Sequence, residues 1–198
     1  MKVGILLLIL AACAASRPPQ REYPGTLSPP SRSPGDFLRT QRLVARYGGE
    51  TRSMDAVLQK EGDLLTLIGM TPFGSKAFVL QQQGLEVTFQ SYVPFELPFP
   101  PKYILLDVQR VYFPGIPGSP LADGQHEAER DGERIVERWK GGRLMERTFT
   151  RLSGDAAGAI TIVYEGGMAG GTSPAKIEVD NGWVGYRLSI TTVQEQRL

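Results

Sequence analysis

Cysteine and histidine are almost missing from this chain, whose 198 residues hold one of each, Cys13 and His126. A single cysteine excludes an intramolecular disulfide. The same scarcity removes the usual ligand sets for zinc and the partners required by a serine triad or a cysteine nucleophile. His126-Glu127-Ala128-Glu129-Arg130 begins like a zinc-protease helix, but Arg130 stands where the second histidine belongs. No Gly-x-Ser-x-Gly elbow occurs. Gly166-Gly167-Met168-Ala169-Gly170-Gly171 lacks both the order and the following helix of a phosphate-cradling loop, and it reads as a flexible hairpin loop. The chain therefore reads as a non-enzyme with no metal and no cofactor. Only chemistry by paired carboxylates stays open, because spacing in sequence does not give spacing in space.

Charge of one sign is lacking too. Lysine and arginine total 22 against 21 acids, a net charge of +1 spread along the sequence. No field strong enough to gather nucleic acid follows. Trp139 and Trp183 stand apart from any basic cluster, so no base-stacking platform is indicated.

Long hydrophobic runs are also absent. The run Val3–Leu10 falls well short of the roughly 20 apolar residues that a membrane-crossing helix needs. With Met1-Lys2 before it and Leu10-Ala11-Ala12-Cys13 after it, the segment reads as a signal peptide over residues 1–12 ending in a bacterial lipobox. An ordinary secretory signal with an incidental cysteine is the alternative. In the lipobox reading Cys13 is acylated. At about 0.8 kcal/mol per buried CH₂, two or three acyl chains hold a protein almost permanently, so Cys13 is an anchor in membrane lipid rather than a reactive thiol. Ala14, in place of an aspartate, favours the outer membrane by analogy with sorting signals of Gram-negative lipoproteins, with the body on the periplasmic face.

Residues 13–36 carry six prolines among Ser, Arg and Gly and have little to bury. That composition predicts an extended, semi-rigid tether. Its Arg17, Arg21 and Arg32 are placed to touch anionic headgroups, although a merely solvated linker explains them as well.

The remaining 37–198, in a chain that is 41% hydrophobic, suffices for one domain. Arg42–Tyr47 and Ser53–Lys60 flank Gly48-Gly49 as a hairpin, and Leu64–Met70, Lys76–Gln81 and Leu85–Phe89 extend it into a five-stranded meander. Between the third and fourth strands stands Thr71-Pro72-Phe73-Gly74-Ser75, a tight turn with a large aromatic at its tip. Lys102–Phe113, led by Pro100 and Pro101 and stopped by Pro114-Gly115, shows apolar spacings of three and four, with Asp107, Gln109 and Arg110 on its polar side. This predicts an amphipathic helix. Its apolar face suits a packed core or the roof of a cavity. Leu121–Glu133 reads as a polar loop. Strands resume at Arg134–Trp139, Arg143–Leu152 and Ile160–Tyr164, followed by a glycine-rich loop, Glu165–Ser173. Ala175–Val179 and Trp183–Val193 form a hairpin about Asp180-Asn181-Gly182. The order of elements suggests one long antiparallel sheet wrapped round an inserted helix.

Taken together, the lipobox, the Thr71–Ser75 turn, the proline-led helix and the ending Ile160–Tyr164, Ser173–Val179 and Tyr186–Ile190 resemble LolB-like outer-membrane lipoproteins of the LolA/LolB superfamily. The resemblance implies a mainly β fold with an inserted helix: an unclosed antiparallel β-barrel, or half-barrel, covered by one or more α-helices. It implies a protein that binds acyl chains in an apolar cavity and helps to receive or insert lipoproteins or lipids at the outer membrane, with a LolA-like periplasmic carrier as partner. In LolB the matching turn reads Asn-Pro-Leu-Gly-Ser and its leucine protrudes toward the bilayer, a role that passes by position to Phe73, flanked by Pro72 and Gly74. The lining expected from the strand and helix patterns is Leu65, Leu67, Phe78, Leu80, Val87, Phe89, Ile104, Leu105, Val108 and Ile190. The helix lacks the tryptophan associated with LolB, and the long tether is this chain's own. Two other readings stand beside this one, an assembly lipoprotein with a packed core and a carrier of a non-protein lipid such as a pigment or glycolipid.

Overall fold

Alternation of apolar and polar residues dominates the chain after Phe37, and the structure, a computed structural model, turns that pattern into eleven strands and one α-helix. It describes residues 23–94, 100–153 and 158–198. The signal peptide, Cys13, Arg17 and Arg21 lie outside the described residues, as does part of the proline-rich run before the helix.

Strands β1 (Phe37–Tyr47), β2 (Glu50–Glu61), β3 (Leu64–Met70), β4 (Lys76–Gln83) and β5 (Glu86–Ser91) form the first meander. The helix α1 (Pro101–Tyr112) follows. The second meander is β6 (Gly124–Arg130), β7 (Glu133–Lys140), β8 (Arg143–Arg151), β9 (Ala159–Met168), β10 (Lys176–Asn181) and β11 (Tyr186–Arg197). The two are joined by the antiparallel pair β1–β11, which gives a single sheet in the order β5-β4-β3-β2-β1-β11-β10-β9-β8-β7-β6. The edge strands β5 and β6 do not pair.

The sheet curls tightly round the helix. From β4 to β7 is eight strand spacings, roughly 38 Å if the sheet were flat. Yet Gln109 of α1 donates to Gln82 of β4 at 2.8 Å, while its neighbour Arg110 pairs with Glu133 of β7. Only a sheet bent into an open barrel brings both strands to adjacent residues of one helix. The half-barrel expected from the sequence is the fold observed, with α1 against its concave face beside the seam between the two edges.

Several local expectations are corrected. Gly124–Arg130 was expected within a loop but is β6. It is an edge strand that pairs only with β7 and is exposed or half-buried along its length, so it carries no apolar alternation. The glycine-rich loop shortens, because β9 runs on to Met168 and a bridge joins Ala169 to Thr172. The last hairpin turns two residues later than expected. Asn181 stays in β10, where its side-chain carbonyl accepts the backbone N–H groups of Trp183 and Val184 at 3.1 Å each and so fixes the turn. The described part of the expected tether, residues 23–36, does not stand off the body. It runs as a strap along α1 and the sheet, and Tyr23, Pro30 and Ser33 are buried.

Candidate functional site

The concave face combines two chemistries. On β7 to β11 buried polar side chains stand among apolar ones such as Ile135, Phe149 and Ile162, and the polar ones fasten the helix. Asp107 of α1 accepts hydrogen bonds from Tyr23 of the strap and Tyr186 of β11, from Arg110 Nη1 at 2.8 Å and from Asn181 Nδ2 at 3.2 Å. Arg110 also reaches Glu133 and the carbonyl of Pro24. One turn on, Arg147 of β8 pairs with Glu137 directly opposite it on β7, Nε to Oε1 at 2.7 Å, and its Nη1 donates to the carbonyls of Arg110 and Phe113 at 2.5 and 2.9 Å. Tyr164 of β9 donates to the carbonyl of Val111 at 2.8 Å. A helix leaves its last carbonyls without internal partners. Here the sheet supplies them.

Burial sets the protonation of these groups. It raises Tyr23 and Tyr186 well above the ordinary phenol range, and the neighbouring Asp107 charge adds to the effect, so both stay neutral donors to that carboxylate. Tyr164 is pushed up to about 12, again by burial first. Burial also raises the Glu133 carboxyl, against the opposing pull of Arg110. For Arg110 burial works against the charge, but the carboxylates of Asp107 and Glu133 help to outweigh it and the guanidinium is held protonated.

On β2 to β5 the same face is largely apolar, with Lys60 and Gln82 as its buried polar side chains. Leu58, Leu65 and Leu80 are closed to solvent, Leu67 and Phe78 nearly so, and Leu105 of α1 packs among them. Val87, Phe89, Ile104 and Val108 are half-buried against this cluster, and Ile190 of β11 is buried at its far side. The structure thus brings all ten expected lining residues onto one core cluster, between the apolar side of α1 and the sheet. Gly69 allows the Phe78 ring its place, since a Cβ there would stand 2.3 Å from Phe78 Cε1.

The Pro72-Phe73-Gly74 turn is built without its aromatic. Thr71 N–H donates to the Ser75 carbonyl at 2.8 Å, Gly74 N–H to the Thr71 carbonyl at 2.9 Å, and the Thr71 and Ser75 hydroxyls bond each other. Gly74 takes φ +79°, which suits glycine alone. The Phe73 side chain is 96% exposed.

Sequence reasoning missed the buried polar side chains. Arg39, Gln41, Lys60, Gln82, Glu137 and Arg147 all point inward, and Gln109 and Arg110, expected on the polar side of the helix, are buried. One signal was available. In β1 the residues Phe37, Arg39, Gln41 and Leu43 share a parity, and in β7 Glu137 sits between Ile135 and Trp139, so charged residues occupy positions that the period assigns to the core. A cavity of about 330 Å³ beside this region lies between the strap, α1 and the β6–β7 turn. Its walls carry Arg32, Arg110, Arg130, Asp131 and Glu133 beside Leu106, Phe113 and Pro117, so it is mixed in character, and none of the ten expected lining residues borders it. Cys13 is outside the described residues. Among the described residues no group of three or more His, Cys, Asp or Glu side chains could hold a metal ion, and no helix is long and apolar enough to cross a membrane.

These features define a class: an unclosed antiparallel half-barrel whose concave face holds one helix, fastened by buried charges and packed by apolar residues. Among solved structures the chain is similar to an outer membrane lipoprotein-sorting protein domain from Vibrio parahaemolyticus, at 10% identity over 84% of this chain and 87% of that one, TM-score 0.42. It is also similar to a LolA superfamily protein from Nitrosomonas europaea, at 10% identity over 84% and 88%, TM-score 0.44. A DUF1329 family protein from Desulfovibrio piger matches at 12% identity over 82% and 85%, TM-score 0.36. A sequence comparison with curated proteins returns no match. Residues 38–194 match the model of a family described as Protein of unknown function (DUF3261), and the chain belongs to that family.

Proposed function

We propose that the protein is a lipoprotein anchored by acylated Cys13 in the outer membrane, with its body facing the periplasm, that binds acyl chains between α1 and the β2–β5 wall. It receives or inserts lipoprotein or lipid cargo without covalent chemistry, and Phe73 makes the brief bilayer contact. The observation that carries this reading is the unequal hold on the helix. It is held to β7–β11 by several hydrogen bonds and ion pairs, whereas toward β2–β5 the Gln109–Gln82 hydrogen bond stands among apolar contacts, with Val87, Phe89, Ile104 and Val108 only half-buried. Apolar contacts are non-directional and re-form around an inserted chain, while the polar side keeps the helix in place.

The full chain carrying Cys13→Ser, which removes the anchor, is mixed with excess long-chain fatty acid and examined by native mass spectrometry. Retention of an acyl ligand is expected, and a protein that never retains one overturns the proposal. A second reading, an assembly lipoprotein with a packed interior, is favoured by the complete closure of Leu58, Leu65, Leu80 and Leu105. It predicts that outcome. A labelled lipoprotein offered from a LolA-like carrier then separates protein cargo from other lipid.

A further inference from the structure

The outer face of the sheet carries a like-charge pair that the fold compensates on one side only. Arg46 of β1 and Arg187 of β11 are directly opposite in the antiparallel register, so both side chains leave the same face and repel. Arg187 Nε is committed to Asp180 Oδ2 at 3.0 Å. Arg46 has no hydrogen bond or ion pair among the described residues. Beside them opens a cleft of about 370 Å³, bounded by the two arginines, Asp180 and the turn glycines Gly48, Gly49 and Gly185. Nothing stands within 4 Å of where a side chain would begin at any of these glycines, so the mouth is open. Two guanidinium groups against one carboxylate leave the cleft cationic. Guanidinium forks match phosphate oxygens, which accept paired N–H bonds.

Position selects the source of that phosphate. The β1–β2, β3–β4 and β10–β11 turns all lie at one end of the sheet, so the cleft shares its end with exposed Phe73 and with Tyr47, which is also exposed. A cationic cleft beside protruding aromatics is complementary to a bilayer surface bearing anionic headgroups. We propose that this cleft binds the phosphate of an anionic phospholipid headgroup when the Phe73 end meets the membrane. The inference rests on the reading of that end as membrane-facing.

The test is co-sedimentation of the full chain carrying Cys13→Ser with vesicles of phosphatidylcholine alone and of equimolar phosphatidylcholine and phosphatidylglycerol. Each arginine at an anionic surface contributes roughly a fivefold factor. Arg46→Gln with Arg187→Gln is expected to weaken binding to the anionic vesicles by about 25-fold, to leave binding to phosphatidylcholine unchanged, and to leave thermal unfolding and fatty-acid retention unaltered. Arg134→Gln with Arg138→Gln removes the same charge from exposed positions on β7 and is the control. An equal loss in the control shows diffuse attraction and overturns the cleft, as does no loss in the first pair. Displacement by inorganic phosphate beyond that of chloride at matched ionic strength makes it a free-anion site and overturns the lipid assignment. If the wild-type chain retains no fatty acid yet shows the arginine-specific loss, the carrier reading falls and the cleft stands.

Discussion

Replacing Phe73 separates a role at the membrane from a role in the fold. The turn hydrogen bonds run between Thr71, Gly74 and Ser75, and the ring, 96% exposed, takes no part in them. Phe73→Glu is therefore expected to change unfolding free energy by no more than about 0.5 kcal/mol, the usual limit for a surface substitution away from special features. The bilayer contact is a different matter. Moving a phenylalanine from water into an apolar phase is worth roughly 1.5–3 kcal/mol. At about 1.4 kcal/mol per tenfold, loss of that contact weakens partitioning onto neutral phosphatidylcholine vesicles by roughly 10- to 150-fold. The assay is co-sedimentation of the full chain carrying Cys13→Ser, with and without the Phe73 change, run beside thermal unfolding and fatty-acid retention. Fold and ligand retention should persist while vesicle binding falls. A large fall in thermal midpoint would place Phe73 in the core, and unchanged partitioning would show that the turn does not enter the bilayer; either result refutes the reasoning.

Arg147→Met strands the Glu137 carboxylate in the interior with Trp139 Nε1 as its remaining donor, at 2.9 Å, and is expected to cost about 3–5 kcal/mol in urea unfolding. The double change Arg147→Met with Glu137→Leu should recover only the part due to the stranded charge, because the carbonyls of Arg110 and Phe113 and the Trp139 indole N–H still lose their partner, and a single variant as stable as wild type would show that the pair does not hold the helix. Gly69→Ala forces a Cβ into the Phe78 ring without any positive-φ strain, so thermal unfolding should report a loss of about 1–3 kcal/mol from overpacking; shrinking the ring with Phe78→Leu should restore part of it. Tyr164, pushed up to about 12, and Tyr23, Tyr112 and Tyr186, also raised by burial, are neutral in the folded state over a range where the unfolded chain has begun to ionise. Their stabilisation is fully present below about pH 10 and is lost as pH rises toward and through the folded values. Denaturation midpoints should fall steeply above about pH 10, and a flat profile there would mean that these phenols are not buried in solution.

The meanders, the helix and the protruding turn were legible because each has a local cause: period-two alternation, spacings of three and four behind a proline, and turn glycines. What stayed hidden was whatever depends on a partner distant in sequence. β6 is the exception, since β7 follows it across Asp131-Gly132, but an edge strand exposed or half-buried along its length shows no alternation to read. Tyr23 looked like a tether residue, yet it is held by Asp107 and Asn181, which lie 84 and 158 positions away. Isolated charges belong in water, but Arg39 and Arg147 meet Glu195 and Glu137 directly opposite on the neighbouring strands, and curling of the sheet round α1 buries these pairs. The two kinds of interior follow from one requirement. A helix laid inside an open barrel brings unsatisfied carbonyls and short polar side chains into a region that water does not fill, so one wall must be polar to receive them. The groups that meet this need come chiefly from β7 to β11, and the arc from β2 to β5, apart from Lys60 and Gln82, is apolar. Leu65, Leu80, Val87 and Phe89 stand on that arc, and the turn bearing Phe73 closes the hairpin at its centre.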